Sequence, residues 1–468
     1  MDEFGFNHLK GKDQRSLLPS HSQCLTMRMS GMIRQLLGNI WRRTKQLGLY
    51  VLLGFAIMVS LLFSLALWQS PQRSLDSKTT NSQQEVVSMH SYAEVYDFSG
   101  LVVNESSSAM AIIDFRPSTD NLVSKVSAYK VKASKQKTLS ASDYLAALSA
   151  DQTVVMQFPD QVAGKVVQRI LGDQYDLPSK ATINYIQLNA QSQTVTFYSD
   201  ANHHYYRYPV QNKQLQLPNL LSKKHVVAVK WSEADQQVKL LYEEAINLQK
   251  YRYLVTNTDL QSFANVLFTE SKQVNTTQDD NNNLVYADGE NKRLTINQTS
   301  KTGVFDVFNS KKKLPNVSGV MEDGYDMLGN IQQTSDSINY FASENNGDTL
   351  IYRLDVNGLP IFNLDKLGLV KFQMISAGHQ QVDFSGTTLQ VPLPVNDDDT
   401  VTLPSTADAE TWASQVGINP DKIEDLRIGY YWQTDTGDTV TLQPEWFYKY
   451  DGEWQSLGTN PATRTGGS

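Results

Sequence analysis

Residues Leu47–Trp68 (LGLYVLLGFAIMVSLLFSLALW) constrain this chain most, because they run for 22 positions without a charge. A helix rises about 1.5 Å per residue and a hydrocarbon core is about 30 Å thick, so the segment is long enough to span a bilayer once. Arg34, Arg42, Arg43 and Lys45 precede it closely, whereas only Arg73 and Lys78 follow soon after. The positive-inside rule then places the N-terminus in the cytoplasm and everything after Trp68 outside. Trp41, Tyr50 and Trp68 fall near the two interfaces, where amphipathic rings are favoured. A cleaved signal peptide competes, with Ser64-Leu65-Ala66 as a weak small-x-small site. Its apolar region is usually only ~7–15 residues long, so length favours the uncleaved anchor.

The charge divides with the compartments. Residues 1–46 carry a net +5, and with no charge in the span the remainder carries −13. A basic face against the inner leaflet and an acidic exterior suit a membrane protein and argue against nucleic acid as a partner. The lone cysteine, Cys24, lies in the cytoplasmic tail, so the exterior is expected to fold on hydrophobic cores without disulfides. That pattern points to a bacterial surface. Residues 33–46 place Ile33, Leu36, Leu37, Ile40 and Trp41 at helical spacing, and read either as a short interfacial helix or as a frayed basic flank. Met27, Met29 and Met32 are candidate starts.

The exterior is expected to be α+β, with antiparallel sheets, short helices and no βαβ repetition. A Ser-, Thr- and Gln-rich tether occupies 69–91. A first α+β domain over 92–215 is predicted to hold strands at Leu101–Val103, Met110–Phe115 and Thr153–Phe158, with weak alternation over Ser124–Val131. Ser140 or Ser142 caps one helix and Gly172 closes another. Thr182–Leu188, Thr194–Tyr198 and His204–Val210 form a meander. A central domain over 216–345 begins with a strand at Val226–Trp231 and a helix-like stretch from Ser232 to Leu248. A strand at Tyr251–Val255, a helix at Leu260–Phe268 and a hairpin turning at Asp288-Gly289 follow. A β-rich domain over 346–457 contains a hairpin at Asn357-Gly358, a helix capped by Ser405, and strands at Asp425–Trp432, Val440–Gln443 and Glu445–Tyr450. Residues 458–468 read as a loose tail.

No motif for catalysis emerges: G-x-S-x-G, H-E-x-x-H, the phosphate-binding G-x-x-x-x-G-K-[ST] and C-x-x-C are all missing. Ser127–Lys130 and Ser134–Lys137 match S-x-x-K, and Lys301-Thr302-Gly303 matches K-T-G, but the S-x-N element between them is lacking. His203 and His204, adjacent in a strand, would point to opposite faces and cannot chelate one metal. Asp279-Asp280 and Asp397-Asp398-Asp399 do not fit a calcium loop. The chain is therefore expected to be no enzyme and to need no metal or cofactor. Two surfaces remain as candidates for partner binding. Ala56, Ser60 and Ser64 recur every four residues and would let a second membrane helix approach closely. Tyr430, Trp432, Trp446 and Tyr448 belong to a C-terminal aromatic cluster that serves either as core or, on its outward side, as an exterior partner patch.

Several stretches resemble the YycH family of low-GC Gram-positive bacteria. They are Asp259–Glu270 (DLQSFANVLFTE), Thr349–Asn363 with Gly358-Leu359-Pro360-Ile361-Phe362, and Ile423–Tyr448 with its Ile-Gly-Tyr and Pro444-Glu445-Trp446 strands. The resemblance spans most of residues 47–455 through short structural motifs. It implies a regulator of the WalK/WalR (YycG/YycF) two-component system, which controls cell-wall metabolism. Such a regulator acts on the sensor histidine kinase largely through its transmembrane helix, together with a YycI-type membrane protein, and its C-terminal domain is YycI-like. The expectation is a single-pass, non-enzymatic kinase regulator. An extracytoplasmic binding module for a wall precursor or lipid is the alternative.

Overall fold

Strict apolar alternation along most of the chain after residue 90 dictates strands, and strands dominate the fold. The computed structural model describes residues 90–458 and Met58, apart from 212–213, 222–224, 235–236, 272, 309–314, 332–337, 364–366, 396–398 and 436. The chain divides into two compact units, Met1–Glu85 and Val86–Ser468. Leu47–Trp68, with Ala56, Ser60 and Ser64, lies outside the described residues except for Met58. Among the described residues no helix is long and apolar enough to cross a membrane.

The first sheet has nine strands: β1 (Gly100–Glu105), β2 (Ser108–Ile112), β3 (Lys135–Thr138), β4 (Thr153–Ala163), β5 (Thr182–Asn189), β6 (Thr194–Ser199), β7 (His204–Pro209), β8 (Val226–Ala234) and β9 (Gln237–Tyr242). Their order is β3-β7-β6-β5-β4-β1-β2-β8-β9. Helices α1 (Tyr92–Val95), α2 (Arg116–Ser127), α3 (Ala141–Leu148) and α4 (Gly164–Leu171) pack around it. Ser140 caps α3 through the Asp143 N–H, and Gly172 ends α4 with a positive φ, as patterned.

The strands that follow are β10 (Ile246–Gln249), β11 (Tyr251–Asn257), β12 (Asn275–Gln278), β13 (Leu284–Ala287), β14 (Lys292–Asn297), β15 (Thr302–Phe308), β16 (Ile338–Glu344), β17 (Thr349–Val356), β18 (Leu359–Phe362) and β19 (Leu369–Ser376). Then come β20 (His379–Ser385), β21 (Thr387–Leu393), β22 (Thr400–Leu403), β23 (Asp425–Thr434), β24 (Thr439–Tyr450) and β25 (Glu453–Gly458), with helices α5 (Leu260–Leu267), α6 (Val317–Ile331) and α7 (Thr406–Gln415). Strands β10 and β22 pair alone. The others form a second sheet ordered β12-β13-β14-β15-β20-β19-β17-β18-β23-β24-β11-β21, with β16 on β17 and β25 on β24. Pairing is antiparallel except where Ile361 and Phe362 of β18 lie parallel to Tyr430 and Tyr431 of β23.

One hydrophobic core runs across both sheets. Val154, Met156, Ile186 and Phe197 of the first sheet belong to the same buried cluster as Leu350, Tyr352 and Phe372 of the second. Side chains of this size stabilise by roughly 1.5–3 kcal/mol each when fully buried. Tyr96 ties the two together, donating its hydroxyl to the Met321 carbonyl at 2.7 Å beside the Tyr352 hydroxyl at 3.2 Å.

Three local expectations fail for physical reasons. The stretch Ser232–Leu248 is not helical. Val238, Leu240 and Tyr242, then Ile246 and Leu248, follow a period of two, and the segment forms the end of β8, then β9 and β10. Weak alternation over Ser124–Val131 belongs instead to the end of α2, which Pro117 opens and whose buried face includes polar Ser118 and Thr119 beside Leu122 and Val126. Between Phe308 and Thr349, α6 and β16 appear where the pattern gives no element. The sheets also cross the boundary drawn at 215/216: β8 pairs with β2, so residues past that point complete the first sheet.

Candidate functional site: a charged cavity between the sheets

Strand β4 loses its register with β5 between Gln157 and Val162, a bulge at Pro159 that re-aims Asp160 and Gln161 out of the sheet. They meet β16. Asp160 Oδ2 accepts from the Ser343 N–H at 2.7 Å and from Ser343 Oγ at 3.1 Å, and the Tyr340 hydroxyl donates to the Gln161 carbonyl at 2.9 Å. Beside this junction is a cavity of about 560 Å³ walled by both sheets, and a second of about 300 Å³ lies against β17, β24 and β25. Arg353 lines both.

Alternation along β17 explains the wall. Leu350, Tyr352 and Leu354 face the main core, so Ile351, Arg353 and Asp355 face the other way. On β23, Tyr430 joins the main core and Ile428 the cluster around Trp412, and both Arg427 and Ile428 reach the cavity. The Arg353 guanidinium carbon lies 4.9 Å from the Phe341 ring centre and 4.5 Å from that of Phe362. The Arg427 carbon lies 4.9 Å from the same Phe341 ring and 5.6 Å from Trp454. Arg427 Nε donates to Asp425 Oδ2 at 2.6 Å. Among the described residues Arg353 has no carboxylate in ion-pair contact; its Nη1 reaches the Ile361 carbonyl at 3.3 Å and its buried Nε has no acceptor. Burial first, and then repulsion from Arg427, lower its pKa to about 10, so it is still a cation at neutral pH.

At the other end of the same β17 face the imbalance is reversed. Arg116 pairs closely with Asp355 Oδ2 and lies 3.6 Å from Asp97 Oδ2. Asn339 also donates to Asp355 at 3.0 Å. Burial pushes Asp97 up to about 7 despite Arg116, and it raises Asp355 as well. A third carboxyl, Asp200, receives the Tyr144 hydroxyl at 2.8 Å and sits near Tyr185 and the Val238 N–H; burial carries it to about 6.

The residues singled out by sequence are placed as follows. Tyr430, Trp432, Trp446 and Tyr448 are all buried, so they do not form an exterior patch: the first two join the main core and the last two a cluster around Trp412 of α7. Phe447, on the opposite face of β24, is buried too, against Phe341 and Phe362, so both faces of this strand pair are packed. The S-x-x-K and K-T-G elements are not assembled. Ser127 Oγ is spent on the Val123 carbonyl at 2.8 Å, Ser134 precedes edge strand β3 of the first sheet, and Lys301 sits in a turn of the second. His203 precedes β7 rather than lying in it and meets Glu233 at 2.9 Å; His204 meets Thr138 at 2.9 Å. Asp279 folds its own loop through Asn281 and Asn283, and Asp397 and Asp398 lie outside the described residues. No group of three or more His, Cys, Asp or Glu among the described residues is placed to hold a metal. Sequence reasoning missed Arg353, Asp355 and Arg427. Their signal was a charge at alternate positions of a strand whose other face is fully apolar.

Fold and cavity together define an antiparallel α+β module whose two sheets share one core around a charged interior space. Residues 236–460 match the family described as YycH protein, C-terminal domain. The crystal structure of YycH from Bacillus subtilis superposes with a TM-score of 0.64 at 14% identity, covering 79% of this chain and 98% of that one. An uncharacterized protein from Eubacterium rectale ATCC 33656 aligns at 10% identity over 45% of this chain and 82% of that one, with a TM-score of 0.29 that carries no argument. None of the curated proteins matches. Residues 236–460 thus belong to the YycH C-terminal domain family, in a chain that shares the YycH fold over most of its length.

Proposed function

We propose that the chain is a single-pass membrane protein, N-terminus in the cytoplasm and C-terminal region outside, that regulates a sensor histidine kinase of the WalK/YycG type and thereby cell-wall metabolism. Its partners are that kinase and a YycI-type membrane protein, and it acts as no enzyme. The observation that carries this proposal is the family match over 236–460, joined to the YycH fold over most of the chain. The uncharged run Leu47–Trp68 supplies the membrane contact, with Ala56, Ser60 and Ser64 as the close-packing stripe. Contact with one state of the kinase shifts its signalling equilibrium by the difference in affinity between states.

Two measurements test this. Deleting the chain from its native cell should change the phosphorylation of the kinase's response regulator; an unchanged level overturns the proposal. Replacing Ala56, Ser60 and Ser64 together by Leu should reduce co-purification of the kinase while leaving the level of the chain in the membrane unchanged. Undiminished association would remove this helix face from the account.

A further inference from the structure

We propose that the cavity between the sheets binds a small molecule carrying a phosphate or carboxylate group on an apolar body, with Arg353 as the anchor for the anion. The proposal goes beyond kinase regulation and does not rest on it.

The first support is the charge count at contact distance. Every acid near the two guanidiniums except Glu453 already has a closer commitment. Asp425 holds Arg427 at 2.6 Å, Asp160 takes two hydrogen bonds from Ser343, and Glu344 holds Lys449 at 2.8 Å. Glu453 lines the smaller cavity without an ion-pair contact to Arg353 among the described residues. Arg353 thus keeps its charge beside a second cation and with a buried Nε unused. An arginine cannot shed its charge by losing its proton, and Glu344 and Glu453 act on it only from beyond ion-pair contact, which leaves the contact position of Arg353 open to an external anion.

The second support is shape and chemistry. A space of about 560 Å³ lies within the size range of small-molecule sites, and its wall mixes apolar with charged and polar groups. Phe341, Pro360 and Trp446 supply apolar wall, and Asn339 and Ser343 supply polar atoms near the charged end. Phe341 and Phe362 hold the Arg353 fork by cation–π contact, so its donors are ordered before a ligand arrives. A guanidinium fork matches the oxygens of phosphate and carboxylate alike.

The test titrates the purified full chain in a non-ionic detergent with phenyl phosphate, dihexanoyl phosphatidic acid, dihexanoyl phosphatidylcholine and inorganic phosphate, read by calorimetry. Phenyl phosphate is expected to bind saturably and more tightly than inorganic phosphate. Binding of phosphatidic acid as well would identify a lipid source, and its failure beside phenyl phosphate a soluble one; both support the anion site. Arg353→Gln should weaken binding by about tenfold or more, and Arg353→Lys by less, because the charge stays while the fork is lost. On the unmodified chain, phenyl phosphate should protect Arg353 from phenylglyoxal, mapped by mass spectrometry, which requires no variant to fold. Lack of binding by both phenyl phosphate and phosphatidic acid would overturn the proposal. So would equal binding of phosphatidylcholine, or a chain whose Arg353 reacts equally with and without the probe.

Discussion

At Asp355, strand β17 helps to load Arg116 with two carboxylates. Two residues earlier on the same face is Arg353, which with Arg427 of β23 has one contacting carboxylate, Asp425, among the described residues. Asp355, Arg353 and Arg427 line one cavity, with Arg116 and Asp97 behind Asp355, and the two clusters carry opposite imbalances. The acidic one corrects itself, because a buried carboxyl takes up a proton near neutral pH, as the rise of Asp97 to about 7 shows. The basic one cannot, because Arg353 is still protonated at any physiological pH. Burial of unmatched charge therefore produces a pH-responsive joint in one place and a standing demand for an anion in the other.

The largest expected effect is at the acidic cluster. Arg116→Met leaves two carboxyls without a cation and should cost about 3 kcal/mol at pH 8, measured by urea unfolding. The loss should shrink at pH 5, where Asp97 is protonated; a loss independent of pH would break the comparison. Asp97→Asn tests the same joint from the other side. With a folded pKa of about 7 against an ordinary 3.8, the folded chain holds a proton that the unfolded chain has released, so stability falls as pH rises through that window. Removing the carboxyl should flatten this slope, so that the stability of Asp97→Asn relative to the unsubstituted chain rises by about 2–3 kcal/mol between pH 5 and pH 8.

The basic cluster should respond less. Arg353→Met, in a buffer of chloride only, should change stability by no more than about 1 kcal/mol, because lost cation–π contact is offset by relief of an unpaired charge. A loss near that of Arg116→Met would show that Arg353 is satisfied within the chain. The smallest effect concerns salt. Exchanging chloride for phosphate at fixed ionic strength should raise the melting temperature of the wild-type chain by about 1–3 °C more than that of Arg353→Met, since only the former gains a bound anion beyond the general salt effect.

Much of the sheet framework could be read from the sequence, since alternation and turn chemistry are local. Asn357 and Gly358 both adopt positive φ, as a two-residue hairpin requires, and Gly358 also lies where a side chain would strike Phe115. The meander β5–β7 and the caps at Ser140 and Ser405 follow from neighbouring residues alone. What was hidden depends on distant partners. The α6 face contains Gly324 against Tyr352 and Leu350, a fit set by close approach rather than by apolar bulk. Arg353 and Arg427 read as ordinary solvent-facing charges, because only the docking of bulged β4 on β16 encloses them. The aromatics of β23 and β24 showed the converse limit: alternation indicated that about half of them would be buried, and long-range packing on α7, the main core and the Phe341–Phe362 cluster buries both faces.

Crystals of the chain soaked in selenate offer the most direct test of the charge argument, because selenium scatters anomalously and selenate copies the shape of a phosphate group. The account predicts an anomalous peak within hydrogen-bond reach of the Arg353 guanidinium, in the cavity between the sheets, and no such peak in crystals of Arg353→Met. Selenate bound elsewhere, with only water beside Arg353, would contradict it.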